Sequence, residues 1–236
     1  MTPPTVLSLG SINADFQMRL DTRPGSSDLL YAHDFVRLSG GKAANTAFIA
    51  AKLGVRSRVF GRVGDDQLAE QALATLAASG VDISGVRQVP GASTAVSLIL
   101  VPPDAKKQIV LASNANDCWD EAALQTVLTA IEQSAAPGCL IVNCEIPPEV
   151  VRLAVGAAHE RGLDVILDPS FADRFESDLC PLLQAITPNA DEAASLLNLK
   201  ISSVADAARA AAMLRAKGVR TAWAAAKTEC NTRPFR

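Results

Sequence analysis

Gly40-Gly41-Lys42-Ala43-Ala44-Asn45-Thr46-Ala47 sets two glycines in front of an alanine-rich run that continues to Leu53 and meets Gly54. Two adjacent glycines let the backbone reach φ > 0 and approach a ligand closely. The run predicts a helix from Gly41 through Leu53, with Gly54 as its C′ residue. The start of such a helix offers free N–H groups and a partial positive charge. Lys42 adds a mobile cation there, and Asn45 lies one turn in. The stretch lacks G-x-x-x-x-G-K-[ST] and G-x-G-x-x-G, so it is neither a Walker A loop nor a dinucleotide fingerprint.

Upstream, Val6–Gly10 reads as a short buried strand, followed by Gly10-Ser11-Ile12-Asn13-Ala14-Asp15. Asn13 offers donors and an acceptor, and ionised Asp15 only accepts, a combination suited to a polyhydroxylated ligand. The same residues could form an Asx-turn that merely shapes the loop, and from this stretch alone the turn is the stronger reading. Residues 16–38 alternate around Arg23-Pro24-Gly25-Ser26, and residues 94–101 and 107–112 flank Pro102-Pro103-Asp104; both read as β-excursions. Between them lie a strand over 57–63 and a helix to Ser79 that Asp65-Asp66 would cap.

From residue 120 the pattern is regular. Helices are predicted over 120–134, 148–161, 189–197 and 204–217, and strands over 139–144, 164–167 and 185–187. Such alternation implies right-handed βαβ units and a mostly parallel sheet covered on both faces. The two β-excursions would form a small lid at one edge, over a crevice at the carboxyl ends of the strands. The stretch from Ala222 has neither strand alternation nor a helical stripe, so the strand due after Thr221 is expected to be missing.

Composition narrows the function classes. The net charge of -3 gives no reason to expect nucleic acid or an anionic membrane, and 4% aromatic residues make a base-stacking platform improbable. No signal peptide or bilayer-length apolar run is visible, so a cytoplasmic protein is expected. The five cysteines form no C-x-x-C pair and read as reduced thiols. His33, His159 and Lys106-Lys107 carry no partner pattern and read as surface groups.

The spacing around the glycine pair goes further. Gly40-Gly41-x-Ala43-x-Asn45-x-Ala47, then Gly54 and Gly64, resembles the first signature of the ribokinase (PfkB) sugar-kinase family. Ser93-Thr94-Ala95-Val96, Asn143-Cys144-Glu145, Asp168-Pro169-Ser170 and Thr187-Pro188-Asn189-Ala190-Asp191-Glu192 resemble later family segments in the family's order, the last holding N-x-x-E. The resemblance covers roughly residues 5–220. It implies a three-layer α/β/α sandwich with a β lid (segments about 14–38 and 93–112), within an incomplete domain over 1–221 and an irregular tail over 222–236.

The resemblance also implies chemistry. Asn13, Asp15, Gly40, Gly41, Lys42, Asn45 and Glu145 would line a sugar site. Asn189 and Glu192 would sit near the phosphates of ATP, Glu192 helping to place Mg²⁺ through water. For Asn189 a helix N-cap, and for Glu145 an ordinary strand-end carboxylate, are the competing readings. Family members carry a second signature, Gly-Ala-Gly-Asp, that supplies the catalytic base, and these 236 residues contain none. No catalytic residue is therefore assigned. A premature stop or frame change near residue 221 would account for that, and would leave an apolar flank wet. The expectation is an ATP-dependent kinase of ribose or a similar sugar, impaired as this chain, with a non-catalytic sugar-binding module or an inert remnant as alternatives. A homodimer through the lid follows by analogy.

Overall fold

Parallel strands buried on both faces read as apolar runs, and Thr5–Leu9 forms the central one, β1. The computed structural model describes residues 5–25, 28–134 and 136–225. After β1 come β2 (Asn13–Leu20), β3 (Ala32–Gly40), α1 (Lys42–Lys52), β4 (Arg56–Gly64), α2 (Gln67–Ala78) and β5 (Asp82–Val89). Then follow β6 (Ala95–Val101), β7 (Gln108–Ala112), α3 (Glu121–Glu132), β8 (Gly138–Asn143), α4 (Pro148–Glu160) and β9 (Asp164–Asp168). The chain continues through β10 (Ala185–Ile186), α5 (Ala190–Leu197), α6 (Val204–Ala216) and β11 (Thr221–Ala222).

Seven strands form one parallel sheet in the order β11-β10-β9-β8-β1-β4-β5. A core of Leu7, Leu9, Leu140, Val142, Val165 and Leu167 packs under α3 and α4 on one face. Val59, Val63 and the alanines of α1 and α2 form a second core on the other. The chain moves from β1 to β4 and β5, then returns to lay β8 on β1's opposite side. That reversal is a topological switch point, where open α/β sheets leave a crevice beyond the strand ends. The crevice here lies past Leu9 and Asn143.

The two predicted β-excursions join into one four-stranded sheet, β3-β2-β6-β7. Within it β2 pairs antiparallel with β3 and parallel with β6. Asp66 anchors this lid to the main domain. Its side chain caps α2 by accepting from Ala69 N, and it also accepts from the Thr94 N–H and hydroxyl at 2.9 and 2.6 Å. Capping was the reading favoured for this aspartate.

Two strands differ from expectation. β5 was not anticipated; it is an edge strand paired only with β4, and its Ser84-Gly85 interruption blurs alternation. The strand expected to be missing after Thr221 is present for two residues. Thr221 and Ala222 pair parallel with β10, and Trp223 N donates to Ile186 O at 3.0 Å. The waiting backbone acceptors of β10 override the poor strand propensity of an alanine-rich stretch. The rest of the predicted tail, 226–236, lies outside the described residues.

Helix α1 packs on β1, β4 and the near side of β8, and α2 on β4 and β5. Beside them Ile141 and Ile166, adjacent across β8 and β9, are only half-buried. Ile49 on α1 and Leu53 just past its end are exposed.

Candidate functional site

The crevice is organised by Ser11, in the turn between β1 and β2. Its hydroxyl donates to Glu145 Oε2 at 2.6 Å and accepts from the Lys42 N–H at 2.9 Å. Its carbonyl accepts from Ala43 N at 3.2 Å. One buried serine thus binds the β8 exit to the start of α1. It also corrects the picture of an open helix N-terminus, because two of the N–H groups expected to face an anion are held by Ser11.

The glycine pair has separate duties. Gly41 has φ 93, and an added Cβ would collide with the Ser11 carbonyl and the Ile12 backbone. At Gly40 an added Cβ would overlap the Asp15 carboxylate. Gly40 pairs with Asn13 across β3 and β2, so the pair clears space for the two polar side chains at the lid base. Asn13 is buried and bonded at both ends of its amide, donating to Ser97 Oγ at 3.1 Å and accepting from Asn116 Nδ2 at 2.8 Å. Asp15 is half-buried. Burial pushes its carboxyl up, against the hydrogen bond from Ser97 and the charge of Lys107. Its Oδ1 is buried without a hydrogen-bond partner.

On the other side of the crevice Lys42 meets three carboxylates. Its Nζ lies 2.8 Å from both oxygens of Asp168 and 3.9 Å from Glu192 Oε1. Burial alone would pull the ammonium down, but the Asp168 hydrogen bond and the charges of Asp168, Glu192 and Glu145 hold it above its ordinary value. Burial pushes Glu145 and Glu192 up. Asn189 accepts from Asp191 N and Glu192 N, and Glu192 Oε2 accepts from Asn189 N, a complete capping box on α5. Asn189 is therefore the N-cap that was its competing reading. Asn45 is exposed, on the wall of a cavity of about 220 Å³ that Lys42, Asn143 and Asp168 also line.

The structure brings Asn13, Asp15, Gly40, Gly41, Lys42 and Glu145 around one crevice, with Asn189 and Glu192 at its far end. Four participants were not foreseen: Ser11, Ser97, Asn116 and Asp168. Asp168 ends β9, and the rule that ligands gather at the carboxyl ends of parallel strands could have selected it. Nothing in the sequence marks Asn116. The histidines stay outside: His33 pairs with Asp21 at 2.9 Å on the lid surface. Among the described residues no three His, Cys, Asp or Glu side chains could together hold a metal ion, and no helix is long and apolar enough to cross a membrane.

Comparison with known proteins places the chain among its relatives. The chain is 32% identical over 219 residues to the ribokinase of Haemophilus influenzae, covering 92% of this chain and 70% of that one. It is 32% identical over 200 residues to the ribokinase of Schizosaccharomyces pombe, covering 82% and 62%. The chain thus spans roughly two thirds of the length of these relatives. The structure of Arabidopsis thaliana ribokinase complexed with ribose and ATP superposes with a TM-score of 0.77 at 25% identity, covering 95% of this chain and 72% of that one. Residues 4–223 match the group described as pfkB family carbohydrate kinase, and the chain belongs to that family.

Proposed function

We propose that this chain carries the sugar-binding site of an ATP-dependent kinase for ribose or a closely similar sugar. The observation that carries the reading is the buried, unpaired Asp15 Oδ1 at the lid base, beside Asn13 and in space that Gly40 keeps clear. A buried carboxylate oxygen without a donor is costly, and rotation of the half-buried Asp15 carboxylate toward a ligand hydroxyl would supply one. Asp15 would hold one sugar hydroxyl and Glu145 another, with Asn13, Gly41, Lys42 and Asn45 completing the walls. The ribokinase names of the relatives, and the ribose and ATP in the Arabidopsis complex, support the same substrate class.

The Lys42 cluster fits an ATP–Mg²⁺ end. One ammonium faces Asp168, Glu145 and Glu192, so with every group ionised the cluster keeps an excess of two negative charges. Incoming phosphates would meet that excess unfavourably, and a divalent cation offsets it. Glu192 has one oxygen committed to the capping box, which leaves the other for a water-mediated contact. Magnesium ordinarily keeps several waters and takes one or two carboxylates, so this donor set suits it. Bound there, Mg²⁺ would screen the phosphate charge, while Lys42, held by Asp168, would orient the phosphate end.

A second reading is sugar binding without transfer, since every residue assigned here binds or orients a ligand and none is placed to take the sugar hydroxyl's proton; such a base typically supplies about 10²–10⁴-fold in rate. Calorimetric titration with ribose beside a coupled ADP-release assay separates the readings. Binding with turnover supports the kinase, binding alone supports the module, and no binding rejects both. A homodimer through the lid has a physical basis as well. Val36, Gln17, Ile99 and Ile109 form a row across its four strands, on the face that also carries Asp15, and Val36 and Ile109 are exposed. Sedimentation equilibrium tests it, with a monomer at all concentrations the contrary result.

A further inference from the structure

A chain of buried amides and hydroxyls crosses the base of the lid, and its first member belongs to no recognised motif. Ile12 N–H donates to Asn116 Oδ1 at 3.1 Å. A backbone N–H can only donate, so this contact decides which way the Asn116 amide faces. Its Nδ2 must then point away from Ile12, and it donates to Asn13 Oδ1 at 2.8 Å. Asn13 is thereby oriented in turn, and its Nδ2 donates to Ser97 Oγ at 3.1 Å. The Ser97 oxygen is now an acceptor, and its single proton remains for Asp15, its register partner across β2 and β6. Asn116, Asn13 and Ser97 are 1%, 3% and 6% exposed, so water does not compete along the chain. Asn116 itself is held on both sides, its N–H on Ser113 O and its carbonyl under Trp119 Nε1.

We infer that Asn116 is a positioning residue that sets the donor–acceptor polarity of the sugar site through Asn13 and Ser97. This rests on the proposed sugar site. By occupying Asn13 Oδ1, Asn116 presents Asn13 to the ligand as a donor only, with one amide hydrogen spent on Ser97 and the other left over. By turning Ser97 onto Asp15, the relay leaves Asp15 as an acceptor with Oδ1 to offer. The two ligand-facing groups are then one fixed donor and one fixed acceptor. A hydroxyl satisfies both at once, because it can give its proton to Asp15 and accept from Asn13. A carbonyl in the same place meets the Asp15 oxygen acceptor against acceptor. The relay therefore selects a hydroxyl over a carbonyl at that position, by the penalty of an unpaired buried group.

The test uses the full chain and three sugars: ribose, 2-deoxyribose and 3-deoxyribose. Asn116→Asp keeps the oxygen that Ile12 N–H needs but removes the donor facing Asn13. At pH 8 Asn13 must turn its amide over to meet the new carboxylate, and Ser97 then gives its proton to Asn13 instead of Asp15. Calorimetry is expected to show ribose bound at least tenfold more weakly. The penalty should disappear for whichever deoxy sugar lacks the hydroxyl held by Asp15. Ser97→Ala should reproduce that pattern, and the double variant should be no more than about twofold weaker than the weaker single one. Equal weakening for all three sugars, or unchanged ribose affinity, overturns the relay while leaving the sugar site standing. Failure of the unaltered chain to bind any of the three removes the sugar reading, and the relay with it. If Asn116→Asp does not fold, Ser97→Ala decides alone: a penalty confined to one hydroxyl supports the relay, and a uniform or absent penalty overturns it.

Discussion

At the base of the lid, polarity is carried by three buried neutral side chains, Asn13, Ser97 and Asn116, around the single carboxylate of Asp15. Across the crevice, at Lys42, one ammonium is shared among three carboxylates and stays 36% exposed. Without a ligand the first arrangement leaves open only one Asp15 oxygen and one Asn13 amide hydrogen. Its other donors have acceptors, so the hydrogen bonds can be directional and rigid. The second cannot balance itself, because one positive charge does not offset three negative ones. Neutral networks suit recognition of a neutral sugar, whose hydroxyls are read one by one. An unbalanced charge cluster suits a ligand that arrives with its own ions.

That contrast can be broken most forcefully at Asp15. Asp15→Asn replaces the acceptor with an amide, and hydrogen bonds to charged groups are worth about 1.5–3 kcal/mol. Ribose affinity is expected to fall about 10–100-fold by calorimetry, with the melting temperature nearly unchanged. A loss under twofold would mean that Asp15 does not hold the sugar. Gly40→Ala attacks the same oxygen by crowding, since its Cβ would overlap that carboxylate. Overpacking typically costs about 1–3 kcal/mol. Here both ribose affinity and thermal stability should drop, whereas unchanged affinity would show that the lid base tolerates a methyl group.

The charged side responds differently. Lys42→Met removes the cation that draws the Glu145 carboxyl down against the opposing effects of burial, Asp168 and Glu192. The titration midpoint of Glu145, followed by carboxyl carbon resonances, should therefore rise in the variant. A fall, or no change, would separate Glu145 from the cluster. Ribose affinity should suffer less than in Asp15→Asn.

The smallest expected effect concerns the joint between lid and domain. Asp66→Ala loses an N-cap, about 0.5–2 kcal/mol, and should lower the melting temperature by about 1–8 °C. Burial opposes the ionisation of Asp66, but hydrogen bonds from Thr94, Ala69 and Leu68 outweigh it and hold the carboxyl below its usual value. A depressed carboxylate contributes stability that is full above its unfolded value near 4 and is lost as the pH falls further. The gap between Asp66→Ala and the unaltered chain should accordingly narrow in acid. A gap that widens below pH 4 would contradict this assignment.

Regular α/β periodicity made most of the main sheet legible in advance, because helix and strand periods are written in each segment's own residues. β5 was not, since Asp82–Val89 is strand-like only through its pairing with β4. β11 was misjudged for the same reason: Thr221-Ala222 gains its strand geometry from Ala185 and Ile186, far back in the chain. At the site, residues inside motifs were found, while those that act by holding others were not. Ser11 looks like loop filler until it is seen bridging Lys42 and Glu145. Asn116 stands 103 positions from the side chain it orients. Sequence patterns report local periodicity and repeated signatures, and long-range side-chain contacts leave no mark in either.

The proposed sugar site is a single pocket, with Asp15 and the glycine pair on one side and Glu145 on the other. Amide resonances of the ¹⁵N-labelled chain titrated with ribose test it most directly. Saturable shifts are expected at Asp15, Gly40, Gly41 and Glu145, with none along the distant groove between β5 and α3 around Arg87 and Thr126. Shifts confined to that groove, or to one side of the crevice alone, would contradict it.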